Sequence, residues 1–203
     1  SRSDKISAIV YCIHNTEMAW TQNIYCEDQR LGQENFKQMR KAMVVSQLRT
    51  TEVSDPRVIA AMSHIAREDF VPAAQRSFAY ADRGVQIGEG RALNPPLTTG
   101  RLLNVVHATK EDKVQVETGN QADGWAQSAP YSAIVIDGLV DEIPQALVDQ
   151  LAPDGRIVAA VMNDGVSRLA LGRTAGEHIG YQYFADCGAC PLPGFEKAKS
   201  FKF

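Results

Sequence analysis

Apolar side chains recur at helical spacing from Asn35 onward, where Phe36, Met39 and Met43 are followed one turn later by Leu48, with Lys37, Arg40 and Lys41 on other faces. This predicts an amphipathic helix. A second helix is predicted from Ser54-Asp55-Pro56. Asp55 suits the capping position, and Pro56 suits the first helical position, where its missing N–H costs nothing. Val58, Ile59, Met62 and Ile65 then form an apolar face, and Pro72 closes the segment Glu68-Asp69-Phe70-Val71. Between Tyr80 and Gly100 the pattern breaks at Gly84, Gly88, Gly90, Pro95 and Pro96. A long irregular loop is expected there, and such loops are either functional or disordered. Arg101 to His107 reads as helix, with Leu102, Leu103 and Val106 on one side.

The second half changes period. Ala133-Ile134-Val135-Ile136-Asp137 is short and rich in β-branched residues, the mark of a strand buried on both faces. Ile143, Leu147, Val148 and Leu151 return to helical spacing. Asp154-Gly155 predicts a turn, Arg156 to Val161 a second buried strand, and Asn163-Asp164-Gly165 a further turn. Ser167–Leu171 and Tyr181–Ala185 are expected to close the sheet as an antiparallel pair. Strand, helix and buried strand in succession indicate an α/β doubly wound sheet. Residues 1–35 show no clear period, with Cys12, His14, Trp20 and Cys26 scattered among polar residues. The expected organisation is an extension over 1–35, a helical and loop region over 36–110, and a sheet domain over 111–203.

The 203 residues, 44% of them hydrophobic and 22% charged, suit one domain or one domain with an appendage. A formal net charge of −3 gives no overall attraction to nucleic acid or anionic membrane, so neither is an expected partner. No apolar run approaches the ~20 residues of a membrane span, and a soluble cytoplasmic protein is expected. Cys187 and Cys190 form a C-x-x-C. With Cys12 and Cys26 they make a tetrahedral zinc site conceivable, but the wide Cys12–Cys26 spacing favours free thiols, and no metal is expected. His14, His64, His107 and His178 have no ligand spacing.

Four stretches, taken in order, resemble protein-L-isoaspartate O-methyltransferases. The first is Met43-Val44-Val45-Ser46-Gln47-Leu48 with Ser54-Asp55-Pro56-Arg57-Val58-Ile59-Ala60-Ala61-Met62. The second is Arg67-Glu68-Asp69-Phe70-Val71-Pro72, followed by Ala79-Tyr80-Ala81-Asp82 and Ile87-Gly88. The third is Leu93-Asn94-Pro95-Pro96. The fourth is Gly124-Trp125 with Ala129-Pro130-Tyr131, Ile143-Pro144-Gln145-Ala146-Leu147 and Gln150-Leu151-Ala152-Pro153-Asp154-Gly155-Arg156. The resemblance implies a class I methyltransferase (Rossmann-like) sheet with an added N-terminal helical region. It also implies methyl transfer from S-adenosylmethionine to the α-carboxylate of an L-isoaspartyl residue in a damaged protein or peptide. A carboxylate is ionised at pH 7 and needs no base, so alignment and desolvation are the demands on the protein. No nucleophile–base constellation is present or required.

The resemblance also exposes a gap. The family carries a strand, a Gly-rich turn, a helix and a second strand with an acidic residue, which together bind the cofactor. That segment should begin at Lys110-Glu111-Asp112-Lys113-Val114, yet the chain passes directly to Val116-Glu117-Thr118-Gly119-Asn120. The first βαβ portion, on the order of 40–50 residues, is missing. Gly88-Glu89-Gly90 is the only G-x-G and reads as a turn. The implied acceptor loop holds Asn94, Pro95, Pro96, Thr98 and Thr99, with Asn94 where the family usually has Ser. Asn94, Thr98 and Thr99 are the catalytic candidates, and Asp82 is a candidate to orient their loop, though it could equally pair with Arg83 or Arg91. Gly119, Asn120, Gly124 and Asp137 are the cofactor-side candidates. Trp125 serves either that side or the core, and Asp137 either a ligand or the next helix. The competing readings are a non-catalytic or substrate-diverged binding protein of the same fold and, more remotely, a metal-binding module at Cys187 and Cys190.

Overall fold

A computed structural model describes residues 8–10, 26–88, 90–107, 119–175 and 178–197. Cys12, His14, Trp20, Glu89 and the junction stretches 110–114 and 116–118 lie outside these residues.

The sheet has five strands in the order β1-β4-β5-β6-β7: β1 (Ala8–Val10), β4 (Tyr131–Val140), β5 (Leu151–Asn163), β6 (Val166–Ala175) and β7 (His178–Asp186). β1 and β5 run parallel to β4, while β6 and β7 are antiparallel to their neighbours. Successive side chains of a strand point to opposite faces, and here both faces are covered. Ile134, Ile136 and Val140 pack with Leu147, Leu151, Ile157 and Phe195 on one side. Ala133 and Val135 pack with Leu102 and Val106 on the other. The unbroken apolar run of β4 follows from this double burial. The β5–β6 hairpin closes through Asp164 (φ 50°) and Gly165 (φ 77°), the left-handed pair that two-residue hairpins favour.

The helical region has its own core of Met43, Leu48, Val53, Met62, Tyr80 and Val85. Helix α1 spans Cys26–Met43, ends in a π-helical turn over Val44–Leu48, and is followed by α2 (Pro56–His64). The start of α1 precedes the expected Asn35 because Cys26–Arg30 has no apolar stripe for periodicity to reveal. The loop expected between Tyr80 and Gly100 is shorter than its Gly and Pro content suggests. β2 (Val85–Gly88) and β3 (Arg91–Leu93) form a hairpin within it, and α3 (Pro96–Val106) begins at Pro96 rather than Arg101. Pro96 occupies the first turn of α3, where its missing N–H is tolerated.

α3 joins the two halves. Leu102 and Val106 face the sheet, while Leu97 and Leu103 face the helical core. Gly100 permits the contact, since a Cβ there would lie 3.1 Å from Leu48 Cδ2. The helix predicted from Ile143 onward is a single turn, α4 (Gln145–Val148), and Leu151 already belongs to β5. The Asp154-Gly155 turn is a kink inside the bounds of β5, with Asp154 at φ 63°.

Two features of β4 bear on the site. Its pairing with β5 jumps from Ile136↔Ala159 to Leu139↔Ala160, so Asp137 and Gly138 form a bulge. Bulges re-aim side chains and cluster near functional sites. The edge of β4 away from β5 is covered piecemeal. Ala8–Val10 pair with Ala133–Val135, and further along Leu139 donates to Cys190 O (2.7 Å) and accepts from Leu192 N–H (2.9 Å). Gly138 lets this second stretch approach, because a Cβ there would sit 2.8 Å from Leu192 Cβ. Among the described residues no helix is long and apolar enough to cross a membrane.

Asp55 caps α2 by accepting from Arg57 N–H (2.9 Å) and pairs with the Arg57 guanidinium (2.6 Å). These bonds hold its carboxyl at about 2, below the ordinary 3.8. Asp55→Ala should cost ~1 kcal/mol in urea unfolding at pH 7. Because the carboxyl is held down, the difference should persist above the ordinary value and disappear as pH falls towards 2. Equal stability of the two proteins at pH 7 would refute the cap.

Candidate functional site

The bulge turns Asp137 towards the start of α3. Asn94 Nδ2 donates to Asp137 Oδ1 (2.9 Å), and Thr99 Oγ1 donates to the same carboxylate (3.0 and 3.1 Å to its two oxygens). The loop that opens α3 is thereby fixed across the carboxyl end of β4, where ligands of open α/β sheets bind. Burial pushes the Asp137 carboxyl up, while the bonds from Asn94 and Thr99 and the charge of Arg67 pull it down. Burial is the largest of these effects.

Arg67 is the residue that motif reading did not single out. It is buried, and its guanidinium donates to Ala79 O (2.9 Å) and Asn94 O (2.7 Å). Asn94 is thus gripped from two sides, by a cation at its carbonyl and a carboxylate at its amide. Asp82, the predicted orienting residue, is exposed. Behind Arg67, Arg40 pairs with Glu68 (2.9 Å) and donates to the Tyr80 hydroxyl (2.7 Å), which in turn donates to Glu68. Burial, followed by the bond to Glu68, pushes the Tyr80 phenol up to about 12. Arg67 sits in a run with an ordinary polar pattern, and only its burial gives it away.

The C-terminal stretch closes the other side. Asn94 Oδ1 accepts from Cys190 N–H (2.7 Å), and Thr98 Oγ1 donates to Gly188 O (2.7 Å). Asn94 and Thr98 are only 1% and 2% exposed, so both lie beneath residues 188–190, whereas Thr99 and Asp137 keep some surface. All three catalytic candidates therefore meet Asp137 or the strap above it.

The other cofactor-side candidates gather elsewhere. Gly124 (φ 67°) packs on Gln150, whose amide would lie 2.6 Å from a Cβ there. Gln150 accepts from Trp125 N–H (2.8 Å) and donates to Asp123 O (2.7 Å) and Ala146 O (2.9 Å). Tyr131, at the beginning of β4, donates to Trp125 O (2.7 Å). Six residues of strand separate Tyr131 from Asp137, roughly 20 Å at 3.3 Å per residue. Asn120 spends its carboxamide on its own turn, accepting from Ala122 N–H (3.3 Å) and donating to Asp123 (2.8 Å), while Gly119 is exposed. Trp125 packs against the core cluster of β4 and β5.

A family model for protein-L-isoaspartate(D-aspartate) O-methyltransferase matches residues 39–114 and 101–187. The chain belongs to this family. The two matched stretches both use residues 101–114, which locates the break in the family pattern there. Protein-L-isoaspartate O-methyltransferase 1 of Rhodopseudomonas palustris is 28% identical over 210 positions, covering 80% of this chain and 86% of the relative. The enzyme of Methanoculleus marisnigri is 31% identical over 168 positions, covering 60% and 76%. Since 80% of 203 residues fill 210 positions, about 48 positions of the first relative have no counterpart here, and the second alignment leaves about 46. The number of unmatched positions agrees with the size of the gap expected from the resemblance. A solved protein-L-isoaspartate O-methyltransferase superposes with a TM-score of 0.62 at 15% identity, over 77% of this chain and 67% of its own. A Plasmodium falciparum protein described as a protein-L-isoaspartate O-methyltransferase, in complex with S-adenosyl-L-homocysteine, superposes at 0.57 and 15%, over 78% and 98%. These superpositions support the class I methyltransferase fold.

The family uses S-adenosylmethionine, and the described residues do not make a cradle that fits it. Gly119, Asn120 and Gly124 do not converge with Asp137, and Asn120 and Asp137 already spend their polar groups internally. The β4 edge beside the site is filled by the chain's own Ala8–Val10 and Cys190–Leu192.

Asp137→Ala should cost ~1–3 kcal/mol in urea unfolding at pH 7, because it strands the buried Asn94 amide. Asp137→Asn keeps an acceptor and should cost far less. The raised carboxyl adds stability that is complete below the ordinary carboxylate value and lost as pH rises through the raised one. The Asn protein should therefore gain on the natural one as pH rises above the ordinary carboxylate value of 3.8. A parallel pH dependence of the two would refute the raised carboxyl.

Proposed function

We propose that the protein is a carboxyl methyltransferase acting on L-isoaspartyl residues of damaged proteins, with S-adenosylmethionine as methyl donor. Family membership supports the reaction class. The observation that carries the acceptor side is the seating of the Asn94–Thr99 loop on Asp137 at the carboxyl end of β4. The acceptor carboxylate is ionised at neutral pH, so this chain's part is to donate hydrogen bonds, fix the loop and exclude water. Asn94, Thr98 and Thr99 are the donors in this reading, and Arg67 holds their loop. Because the described residues do not form a cofactor cradle, no step through the donor is assigned to them.

One observation favours a second reading. About 46–48 positions of the relatives have no counterpart here, matching in size the Gly-rich cofactor segment that the resemblance leads one to expect, and its loss would leave a member of the fold that binds without transferring methyl groups.

Calorimetry of the full chain with S-adenosylmethionine, followed by methyl transfer to an isoaspartyl peptide, separates the two. Binding with transfer is the expected result. Binding without transfer would assign a different acceptor, and a folded protein with no measurable affinity would leave the second reading.

A further inference from the structure

Cys187 and Cys190 are free thiols three residues apart, yet their sulfurs serve different neighbours. Cys187 Sγ lies 3.3 Å from Ser167 Oγ on β6, and its backbone N–H donates to Ser167 O (3.0 Å). Cys190 Sγ is wedged against the other half of the molecule, 3.8 Å from Leu93 O and only 2.2 Å from where a Cβ on Gly84 would stand. Between them, Gly188 has open space around it, and none of residues 187–190 belongs to a helix or strand. This short strap carries both bonds that cover the acceptor loop, Cys190 N–H to Asn94 Oδ1 and Thr98 Oγ1 to Gly188 O. A disulfide needs sulfurs about 2.05 Å apart and Cα atoms usually within ~7 Å. The two thiols are unbonded and held by different neighbours, Ser167 and the Gly84–Leu93 pair, so closing a disulfide must draw at least one sulfur from its place.

We propose that Cys187 and Cys190 form a dithiol–disulfide site, oxidised by a small-molecule disulfide, and that its closure lifts the 187–190 strap off the Asn94–Thr99 loop. One cysteine thiolate attacks the small disulfide and expels one small thiol. The second cysteine attacks the mixed disulfide and expels the other. The two cysteine protons end on the two released thiols, so the protein is oxidised by two electrons and the small disulfide is reduced. Drawing Cys190 from Gly84 breaks its bond to Asn94 and, as Gly188 moves with the strap, frees Asn94 Oδ1 and the Thr98 hydroxyl, while Asn94 Nδ2 stays on Asp137. Burial raises both thiols, so oxidation should be slow at pH 7 and quicken as pH rises. The inference rests on the acceptor-loop reading only in what the strap is said to cover.

The test uses the full chain with Cys12→Ser and Cys26→Ser, treated with oxidised glutathione. The expected result is a mass loss of about 2 Da mapped to a 187–190 disulfide. Amide hydrogen exchange over residues 93–99 should then quicken several-fold and return to its original rate with dithiothreitol. Adding Cys187→Ser or Cys190→Ser should abolish both changes. A glutathione adduct that persists on one cysteine, no internal disulfide, or a disulfide with unchanged exchange over 93–99 would each overturn the proposal. Neither readout uses S-adenosylmethionine or an isoaspartyl peptide, so failure of the proposed methyl transfer is distinguishable from failure here.

Discussion

A carboxylate drawn out of water must be met by donors, and Asp137 imposes that requirement on the centre of this molecule. The bulge in β4 aims it, and the start of α3 supplies Asn94 and Thr99 to satisfy it. Because α3 also packs into both cores, this polar contact fixes how the helical region sits on the sheet. Arg67 grips the same loop from its far side, so that the Asn94 backbone and side chain lie between opposite charges. An apolar residue at 137 would remove the reason for Asn94 to face the strand.

The same economy has a consequence for ligand binding. Each donor that suits an acceptor carboxylate is already bonded within the chain: Asn94 to Asp137 and Cys190, Thr98 to Gly188, and Thr99 to Asp137. A ligand must therefore compete with internal partners rather than enter an open pocket. At the other end of β4, Gln150 performs a comparable structural task, joining Gly124, Trp125 and Ala146. The two ends of one strand are thus organised by two separate hydrogen-bonded polar side chains.

Much of this was legible in the sequence. The β-branched run of β4, the Asp55-Pro56 helix start and the Asp164-Gly165 hairpin each leave a local signature of period or turn chemistry, and each element is where the pattern predicts it. The seating of Asn94–Thr99 over the strand end followed from the family resemblance rather than from periodicity. What escaped has no local signature. The early start of α1 lies in a stretch without an apolar stripe, and the β2–β3 hairpin is hidden by glycines that equally suit a loop. Arg67 looks like any surface arginine until its burial is known, and the meeting of residues 188–190 with Asn94 joins segments more than ninety positions apart. Gly124 and Asn120 carried a plausible cofactor reading because a glycine beside a polar residue says nothing about which end of a strand it occupies.

The piecemeal covering of the β4 edge ties completion of the fold to segments far apart in the chain. Ala8 sits beside Ala133, and Leu139 is bonded to Cys190 and Leu192. Contacts of such long sequence separation carry a large loop-closure cost and form slowly. During synthesis the flank of the central strand at Leu139 stays bare until Cys190 and Leu192 have been made. In that interval the exposed flank is a template for strands of neighbouring chains, so the period of greatest aggregation hazard is set by the time needed to translate the roughly fifty codons between Val140 and Leu192.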